Sequence, residues 1–143
     1  MKKFLDLMNL DMKDESEVRM MAPLVLAYIG DALYEIYIRT YIIHKYKGKV
    51  NDLHRISTEF VNASAQALIV HTLEDDFSEE EWWIIKRGRN QKSGSMPKNA
   101  SLVDYKYATG FECLLGYLYL MEREDRLLQI VSKAIEVIEN QMN

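Results

Sequence analysis

The sequence contains a single cysteine and no long apolar run among its 143 residues. Cys113 cannot form a disulfide within the chain, which favours a reducing compartment and predicts a cytoplasmic protein. The longest uncharged apolar run, Met20–Gly30, is far shorter than the roughly 20 residues that span a bilayer, so we expect no membrane partner. The basic amino terminus does not predict a signal peptide, because Asp6 and Asp11 interrupt its apolar run.

Proline and glycine are also scarce, with two and six residues. No stretch shows sustained alternation of apolar and polar residues, so strands are not expected and the sequence predicts an all-α protein of about five main helices. The hydrophobic share of 48% and the charged share of 28% are typical of one folded domain. We expect a peripheral segment over residues 1–17 and a single domain over residues 18–143.

The expected helices follow from apolar spacing and from capping residues. Pro23 suits a first helical turn, Asn51 can cap the second helix, and Ser78 with Glu81 forms a capping-box pattern before the third. The predicted helices are 23–45, 51–73, one that begins after Ser78, 103–121 and 124–140.

The stretch Leu24–Thr40 is apolar on every face of a helix, which predicts burial. It nevertheless carries Asp31 and Glu35, and a buried carboxylate requires a partner or a metal ion. Gly30 indicates the close approach of another backbone or a ligand. The alternative is that Asp31 caps a neighbouring helix or pairs with a base.

The fourth predicted helix repeats this pattern, since Glu112 is its only charged residue between Lys106 and Met121. Gly110 and Gly116 suggest further close approaches. Two acids on the two most apolar helices suggest one shared site, where mutual repulsion is relieved by a shared proton or a divalent cation. Oxygen ligands of this kind suit Mg²⁺ or Mn²⁺, which serve phosphoryl chemistry.

A basic segment extends from Trp82 to Val103 and contains five cations and no acid, on a chain whose formal net charge is −4. Its Gly, Ser and Asn residues also donate readily to phosphates. Nucleic-acid binding and a merely solvated loop are both compatible with this composition. Elsewhere, Cys113 is expected to be a buried thiol, and of Trp82 and Trp83 one is expected in the core and the other at an interface.

Three segments together resemble the ribonuclease III family: LAYIGDALYE (residues 26–35), RGRNQKSGSMPKN (residues 87–99) and FECLLGYLYL (residues 111–120). The likeness extends from about Pro23 to Asn140. Within the family it is closest to the short bacterial branch, Mini-ribonuclease III, which lacks a double-stranded RNA-binding domain.

The resemblance implies a homodimeric endoribonuclease that cleaves double-stranded RNA with Mg²⁺, for which Mn²⁺ substitutes. The implied substrate is precursor large-subunit (23S) ribosomal RNA, with ribosomal proteins as further partners. Asp31 and Glu112 fall on the metal-binding catalytic acids, and Glu35 is a further candidate ligand. The residues implied in RNA binding are Lys86, Arg87, Arg89, Asn90, Lys92, Ser93, Lys98 and Asn99.

The chain departs from the larger ribonuclease III proteins at two acidic positions. Ala27 replaces a glutamate and Thr109 replaces an aspartate, so half of their acidic cluster is absent. Glu35 is either a substitute ligand or a partner for Arg39 at i+4. Two other classes of protein stay open: a non-catalytic RNA-binding protein of the same fold, and a helical interaction protein whose basic loop binds an acidic surface.

Overall fold

The structure is a computed structural model that describes residues 1–91 and 101–142. These residues form eight α-helices and one short 3-10 helix (Glu74–Asp76), with no strand among them. The α-helices are α1 (Lys2–Leu7), α2 (Glu15–Arg19), α3 (Pro23–Lys45), α4 (Val50–Val61), α5 (Ala63–Thr72), α6 (Glu79–Arg89), α7 (Leu102–Leu120) and α8 (Glu124–Met142). The all-α prediction is confirmed. In the described part of the chain, no helix combines the length and apolarity needed for a transmembrane span.

The prediction of one long helix over residues 51–73 is wrong, because two separate helices, α4 and α5, occupy this stretch. Asn62 separates them: its side-chain oxygen accepts a hydrogen bond from the Ala65 backbone amide at 2.8 Å and so caps α5. Asparagine favours such caps over helix interiors because its amide competes for backbone partners. The expected cap at Asn51 is also wrong. α4 begins at Val50, and the Asp52 carboxylate accepts from the Lys49 amide.

The amino-terminal residues contain two short helices that the sequence pattern did not predict. α1 buries no side chain, whereas α2 anchors through Val18, which is 1% exposed. The cap of α2 is reciprocal, since Asp14 accepts from the Glu17 amide and the Glu17 carboxylate accepts from the Asp14 amide. The proposed domain boundary at residue 18 falls inside α2 and stays a prediction.

The centre of the fold is the crossing of α3 and α7, where glycines allow the two backbones to touch. A β-carbon at Gly30 would overlap the carbonyl oxygen of Glu112, and one at Gly116 would overlap the carbonyl oxygen of Leu26. The close approaches predicted at Gly30 and Gly116 are therefore confirmed. A β-carbon at Gly110, also predicted as a point of close approach, would lie 2.5 Å from the Ile85 carbonyl oxygen of α6.

The core surrounds this crossing. From Ala108 to Leu118 every residue of α7 except Glu112 is buried. Tyr34 of α3 meets Phe111 edge to face at a centroid distance of 5.3 Å, and its hydroxyl donates to the Phe60 carbonyl at 3.0 Å. α8 covers the bundle with the apolar stripe that its spacing predicts: Leu127, Ile130, Val131, Ala134 and Ile138 are buried.

The capping box predicted before the third helix is confirmed at the start of α6. Ser78 accepts from the Glu81 amide at 3.1 Å, and the Glu81 carboxylate accepts from the Ser78 amide at 2.9 Å. Glu81 is also 4% exposed and binds the Arg126 guanidinium through two hydrogen bonds of 2.8 and 2.9 Å. This pair joins the first turn of α6 to α8.

One face of α3 is not covered within a single chain, contrary to the burial expected from its composition. Five apolar side chains on it are exposed: Leu24, Val25, Tyr28, Ile36 and Ile43. Leu26, Tyr34, Ile38 and Ile42, on the opposite face, are essentially inaccessible. α3 therefore lies at the edge of the bundle in this chain, and its exposed outward face is unusually apolar for a protein surface.

The glycine contact at the α3–α7 crossing generates the first testable prediction. Alanine normally stabilises a helix by about 1 kcal/mol relative to glycine. At Gly30 the added methyl would force the two helices apart, so Gly30→Ala should lower the free energy of unfolding by about 3 kcal/mol. Urea unfolding followed by circular dichroism measures this loss.

Ser132→Ala, at an exposed position of α8, is the matched control and should be neutral or slightly stabilising. If Gly30→Ala were as stable as Ser132→Ala, the backbones at the crossing would not be in contact.

Candidate active site and nucleic-acid surface

The glycine contact brings together the two acids that the sequence singled out. Asp31 follows Gly30 on α3, and Gly30 lies against the backbone of Glu112 on α7. The Asp31 side chain is exposed while that of Glu112 is partly buried, so the pair lies at the rim of the bundle rather than in its core. Sequence reasoning placed these two residues at one site, and the structure brings them together.

The Glu112 carboxyl group is electrostatically unfavourable as an anion in this position. Its pKa is raised to about 8, first because burial removes water and next because the negative charge of Asp31 lies beside it. Glu35 contributes a weaker repulsion of the same sign. A hydrogen bond from Gln66 acts in the opposite direction and favours the charged form.

Gln66 is a residue of this site that the sequence analysis missed. It lies on α5, is 3% exposed, and its Nε2 donates to the Glu112 Oε2 at 3.3 Å. The signal that could have found it is the one that found Asp31 and Glu112: a polar residue inside an apolar helix, here between Ala65 and Ala67. Three helices, α3, α5 and α7, thus supply the polar groups of the site.

Glu35 lies one turn beyond Asp31 and has a partner within its own helix. The Arg39 Nε donates to its carboxylate at 3.1 Å, which is the i+4 ion pair considered from the sequence. Within the residues that the structure describes, no group of three or more His, Cys, Asp or Glu side chains is arranged to hold a metal ion. Asp31 and Glu112 therefore form a two-carboxylate site.

The missing acids explain why the cluster is small. Ala27 is buried, and the Thr109 hydroxyl donates to the Tyr105 carbonyl of its own helix at 3.1 Å. Neither side chain offers an anionic oxygen to the site. The two carboxylates nevertheless fit a hard divalent cation, because a close pair of oxygen donors with a raised carboxyl pKa lacks only a compensating positive charge.

The cations at the carboxyl end of α6 differ in what they contact. Arg87 donates to the carbonyls of Arg19 and Met21 at 3.0 and 3.2 Å, and its guanidinium lies 4.8 Å from the Trp83 ring. These contacts tie α6 to the turn between α2 and α3. Arg87 thus has a structural role in addition to the RNA contact that stays a prediction.

Lys86 and Arg89 lie on a surface cleft with aromatic walls. The Lys86 ammonium lies 5.8 Å from the Trp82 ring and the Arg89 guanidinium 5.7 Å from the Tyr107 ring. Arg89 also donates to the Asn90 side-chain oxygen at 3.1 Å. The lining residues are His71, Glu74, Phe77, Glu79, Trp82, Trp83, Lys86, Arg89 and Tyr107. Lys92, Ser93, Lys98 and Asn99, the other candidates for RNA binding, lie outside the described residues.

Cys113 is a buried thiol, as predicted. Its Sγ donates to the Pro23 carbonyl at 2.9 Å, and burial followed by the charge of Glu112 raises the pKa of the thiol to about 12. Among the adjacent tryptophans, Trp82 packs on Phe77 at a centroid distance of 5.5 Å while Trp83 is 44% exposed. The two side chains therefore face different environments, and an interface at Trp83 stays a prediction.

Comparison with known proteins gives consistent matches. Residues 24–123 match the family model described as the ribonuclease III domain. Two bacterial proteins named Mini-ribonuclease 3 are similar to the chain. The one from Clostridium tetani is 49% identical over 87% of this chain and 83% of its own length. The one from Thermoanaerobacter sp. is 47% identical over 92% of both chains.

A crystal structure of a Fusobacterium nucleatum protein has the same fold, with a TM-score of 0.75 and 32% sequence identity. It covers 84% of this chain and 96% of the other. The match to the family model includes both acids and the glycine contact between them. The chain therefore belongs to the ribonuclease III domain family, which confirms the predicted fold and the predicted class of activity, an endoribonuclease.

Proposed function

We propose that this endoribonuclease hydrolyses phosphodiester bonds of double-stranded RNA with a divalent cation, Mg²⁺ or Mn²⁺, held by Asp31 and Glu112. The observation that carries the proposal is the contact of two carboxylates at the α3–α7 crossing, with the pKa of Glu112 raised to about 8. Folded proteins rarely place two uncompensated acids side by side without a function for them. A cation at this position would neutralise both.

A bound cation would supply Lewis-acid stabilisation of the negative charge that develops on the scissile phosphate. The chain supplies the geometry. Gly30 and the backbone of Glu112 fix the separation of α3 and α7, and Gln66 holds one oxygen of the Glu112 carboxylate. Asp31, being exposed, is accessible to a phosphate that approaches from solvent.

Two carboxylates are few for a hard cation, and this sets the expected strength of binding. Mg²⁺ sheds its water reluctantly and gains affinity from anionic oxygens. With Ala27 and Thr109 in place of acids, we expect the cation to bind weakly in the absence of RNA, with substrate phosphate and water completing its shell. Glu35 is a weaker candidate ligand, because Arg39 already pairs with it.

The proposed RNA surface continues from the acids to the basic segment. Lys86, Arg89 and Asn90 at the end of α6 contact phosphates in this proposal, together with Lys92, Ser93, Lys98 and Asn99 of the residues that follow. Such contacts recognise the shape and backbone of an A-form duplex and carry little base information. Arg87 orients α6 through the Arg19 and Met21 carbonyls and contributes positive charge beside this surface.

The finer assignments extend the resemblance to the short bacterial branch. The proposed substrate is precursor large-subunit (23S) ribosomal RNA in the cytoplasm, where ribosomal proteins would be neighbouring partners. Support for this branch comes from the 126- and 131-residue matches to proteins named Mini-ribonuclease 3. Cleavage of a ribosomal precursor by the purified protein is the direct test of the substrate.

A homodimer is part of the proposal, and the outward face of α3 supports it. Its exposed side chains include Tyr28 (83%) and Ile36 (60%), which is more apolar surface than a small soluble domain usually leaves uncovered. In an isologous dimer, the same face of a second copy would cover it. Asp31 is exposed on this helix too, so the dimer would form beside the active site.

The site assignment predicts that Asp31→Asn and Glu112→Gln each reduce RNA cleavage by at least about 10²-fold, because each removes an anionic ligand. Initial rates on a structured duplex RNA, with and without Mg²⁺, measure this. Asp125→Asn, an exposed acid on α8, is the control and should cleave normally. Near wild-type cleavage by either site variant would contradict the assignment.

The raised pKa of Glu112 predicts how stability depends on pH in the absence of divalent cations. Its folded-state pKa of about 8 exceeds the ordinary value of 4.5, so the folded protein binds the extra proton between these values. Stability should therefore fall as pH rises through this window. Glu112→Gln removes the ionisable group and should raise the melting temperature near pH 8 more than near pH 5. Equal shifts at both pH values would show that Glu112 titrates normally.

The α6 cations predict separable effects on RNA binding and on stability. Arg89→Ala should weaken binding to duplex RNA of any sequence and flatten its salt dependence, because a phosphate contact is lost. Arg87→Ala should mainly lower the melting temperature, because two backbone carbonyls lose their donor. Fluorescence anisotropy over a range of salt concentrations measures the first effect and thermal unfolding the second.

Lys133→Ala, which removes a cation of α8 paired with Asp76, controls for net charge. An unchanged affinity and salt slope in Arg89→Ala would mean that this end of α6 does not contact RNA.

The dimer predicts that a charge on the outward face of α3 dissociates it. Ile36→Glu should convert the protein to a monomer at micromolar concentration, because burying the new carboxylate is unfavourable. Leu128→Glu, at an exposed apolar position of α8, should leave the mass unchanged. Light scattering measures both, and a monomeric wild-type protein would refute the dimer.

A further inference from the structure

Gln66 is a buried side chain whose amide group contacts the proposed active site from a third helix. Only 3% of the residue is exposed, and its Nε2 donates to two acceptors, the Val61 carbonyl at 2.8 Å and the Glu112 Oε2 at 3.3 Å. Gln66 therefore links the end of α4 to the acid on α7. The Asp31 side chain is a second hydrogen-bonding neighbour of the Glu112 carboxyl group, on the side of α3.

The anchor of this link arises from the break between α4 and α5. Val61 is the last residue of α4. The carbonyls of the final helical turn receive no hydrogen bond from an amide of their own helix. Because Asn62 ends α4 and begins α5, the Val61 carbonyl is free to accept from Gln66. An uninterrupted helix over these residues would have used that carbonyl for its own ladder.

Both acceptors fix the orientation of the amide. Rotating the Gln66 amide by 180° would place its oxygen against the Val61 carbonyl and the Glu112 carboxylate, where oxygen would face oxygen. In the orientation present, Oε1 is buried and has no hydrogen-bond partner among the described residues. A buried acceptor without a partner is destabilising, so this amide is a poor choice for core stability alone.

The chemistry of an amide suits an acid that must remain available to a cation. Lysine or arginine at position 66 would neutralise Glu112 and occupy the place of the metal ion, whereas an amide N–H holds the carboxylate without a full charge. Outer hydrogen bonds of this kind orient metal-binding carboxylates in proteins generally. In this arrangement the Gln66 Oε1 lacks a hydrogen-bond partner in the described part of the chain.

We propose that Gln66 is a positioning residue that holds the Glu112 carboxylate towards Asp31 for binding of the divalent cation, an inference that rests on the metal site of the proposed function. It contacts neither substrate nor scissile bond. It acts by keeping one carboxylate oxygen of Glu112 occupied, so that the side chain does not rotate away from Asp31.

The test is Gln66→Met, which keeps the length of the side chain and removes both hydrogen bonds. Mn²⁺ binding to RNA-free protein, followed by the electron paramagnetic resonance of free Mn²⁺, is the readout that does not depend on activity. We expect the dissociation constant to rise roughly 10- to 100-fold, the range for lost outer-shell partners. The melting temperature of metal-free protein should change only slightly, because the loss of the donor to the Val61 carbonyl is offset in part by removal of the buried Oε1.

Cleavage kinetics supply the second readout. The Mg²⁺ concentration for half-maximal activity should rise, while KM for RNA at saturating Mg²⁺ stays within about twofold, since Gln66 touches no RNA in this proposal. Gln66→Asn retains the amide but is one methylene shorter, and it should show the same rise in the Mg²⁺ requirement. Gln66→Asn also replaces Gln66→Met as the test variant if the methionine variant does not fold.

Ser57→Ala is the matched control for the loss of a buried hydrogen bond. Ser57 is 5% exposed and donates to the Leu53 carbonyl on α4, with no recorded bond to Asp31 or Glu112. Its Mn²⁺ affinity should equal that of the wild type. If Ser57→Ala lost Mn²⁺ affinity as strongly as Gln66→Met, the effect would be general destabilisation and the positioning role would be wrong.

The outcomes also separate this inference from the metal site itself. If Gln66→Met and Gln66→Asn bound Mn²⁺ like the wild type while Asp31→Asn and Glu112→Gln did not, Gln66 would not position the ligand and the metal site would stand. If Asp31→Asn and Glu112→Gln also bound Mn²⁺ normally, the metal site would be wrong, and the inference would fail with it.

Discussion

The contact between the backbones of α3 and α7 determines where the two acidic residues of the candidate site lie. Gly30 and Gly116 bring the helix axes closer than any side chain would allow, and Glu112 supplies the carbonyl that Gly30 touches. Asp31 is the next residue on α3, so the backbone contact fixes where the two acidic residues lie on their helices, and Gln66 contacts the carboxylate of Glu112. The proposed metal site would need such precision, because ligand positions must be held to within a fraction of an ångström.

The arrangement of polar groups at this site lowers the stability of the folded chain. Burial and the charge of Asp31 raise the pKa of Glu112, and the buried Gln66 Oε1 has no hydrogen-bond partner within residues 1–91 and 101–142. Both features are unfavourable for folding, and they occur at the same place. The surrounding core compensates for them through the buried stretch from Ala108 to Leu118 of α7 and through the Tyr34–Phe111 contact. Concentrated local strain within a well-packed bundle is typical of a functional site.

The sequence predicted the helical class, both acids and the glycine contacts, because each stands out locally. Burying a carboxylate in an apolar helix is unfavourable unless the carboxylate has a partner. A glycine in such a helix indicates that another backbone approaches closely. The helix break at Asn62 and the two hydrogen bonds donated by Gln66 could not be predicted in the same way. They depend on which backbone carbonyl is left without an intrahelical partner in the folded chain. Arg87 illustrates the same limit: its positive charge suggests RNA, whereas its geometry connects α6 to the Arg19 and Met21 carbonyls.

The raised pKa of Glu112 has a thermodynamic consequence for any cation that uses this carboxylate. At neutral pH the metal-free site retains a proton, and binding must displace it into the solvent. The measured heat of binding then includes the ionisation enthalpy of whichever buffer accepts the proton. Calorimetric titrations in phosphate and in Tris would give different enthalpies for one and the same site, and their difference would count the protons released.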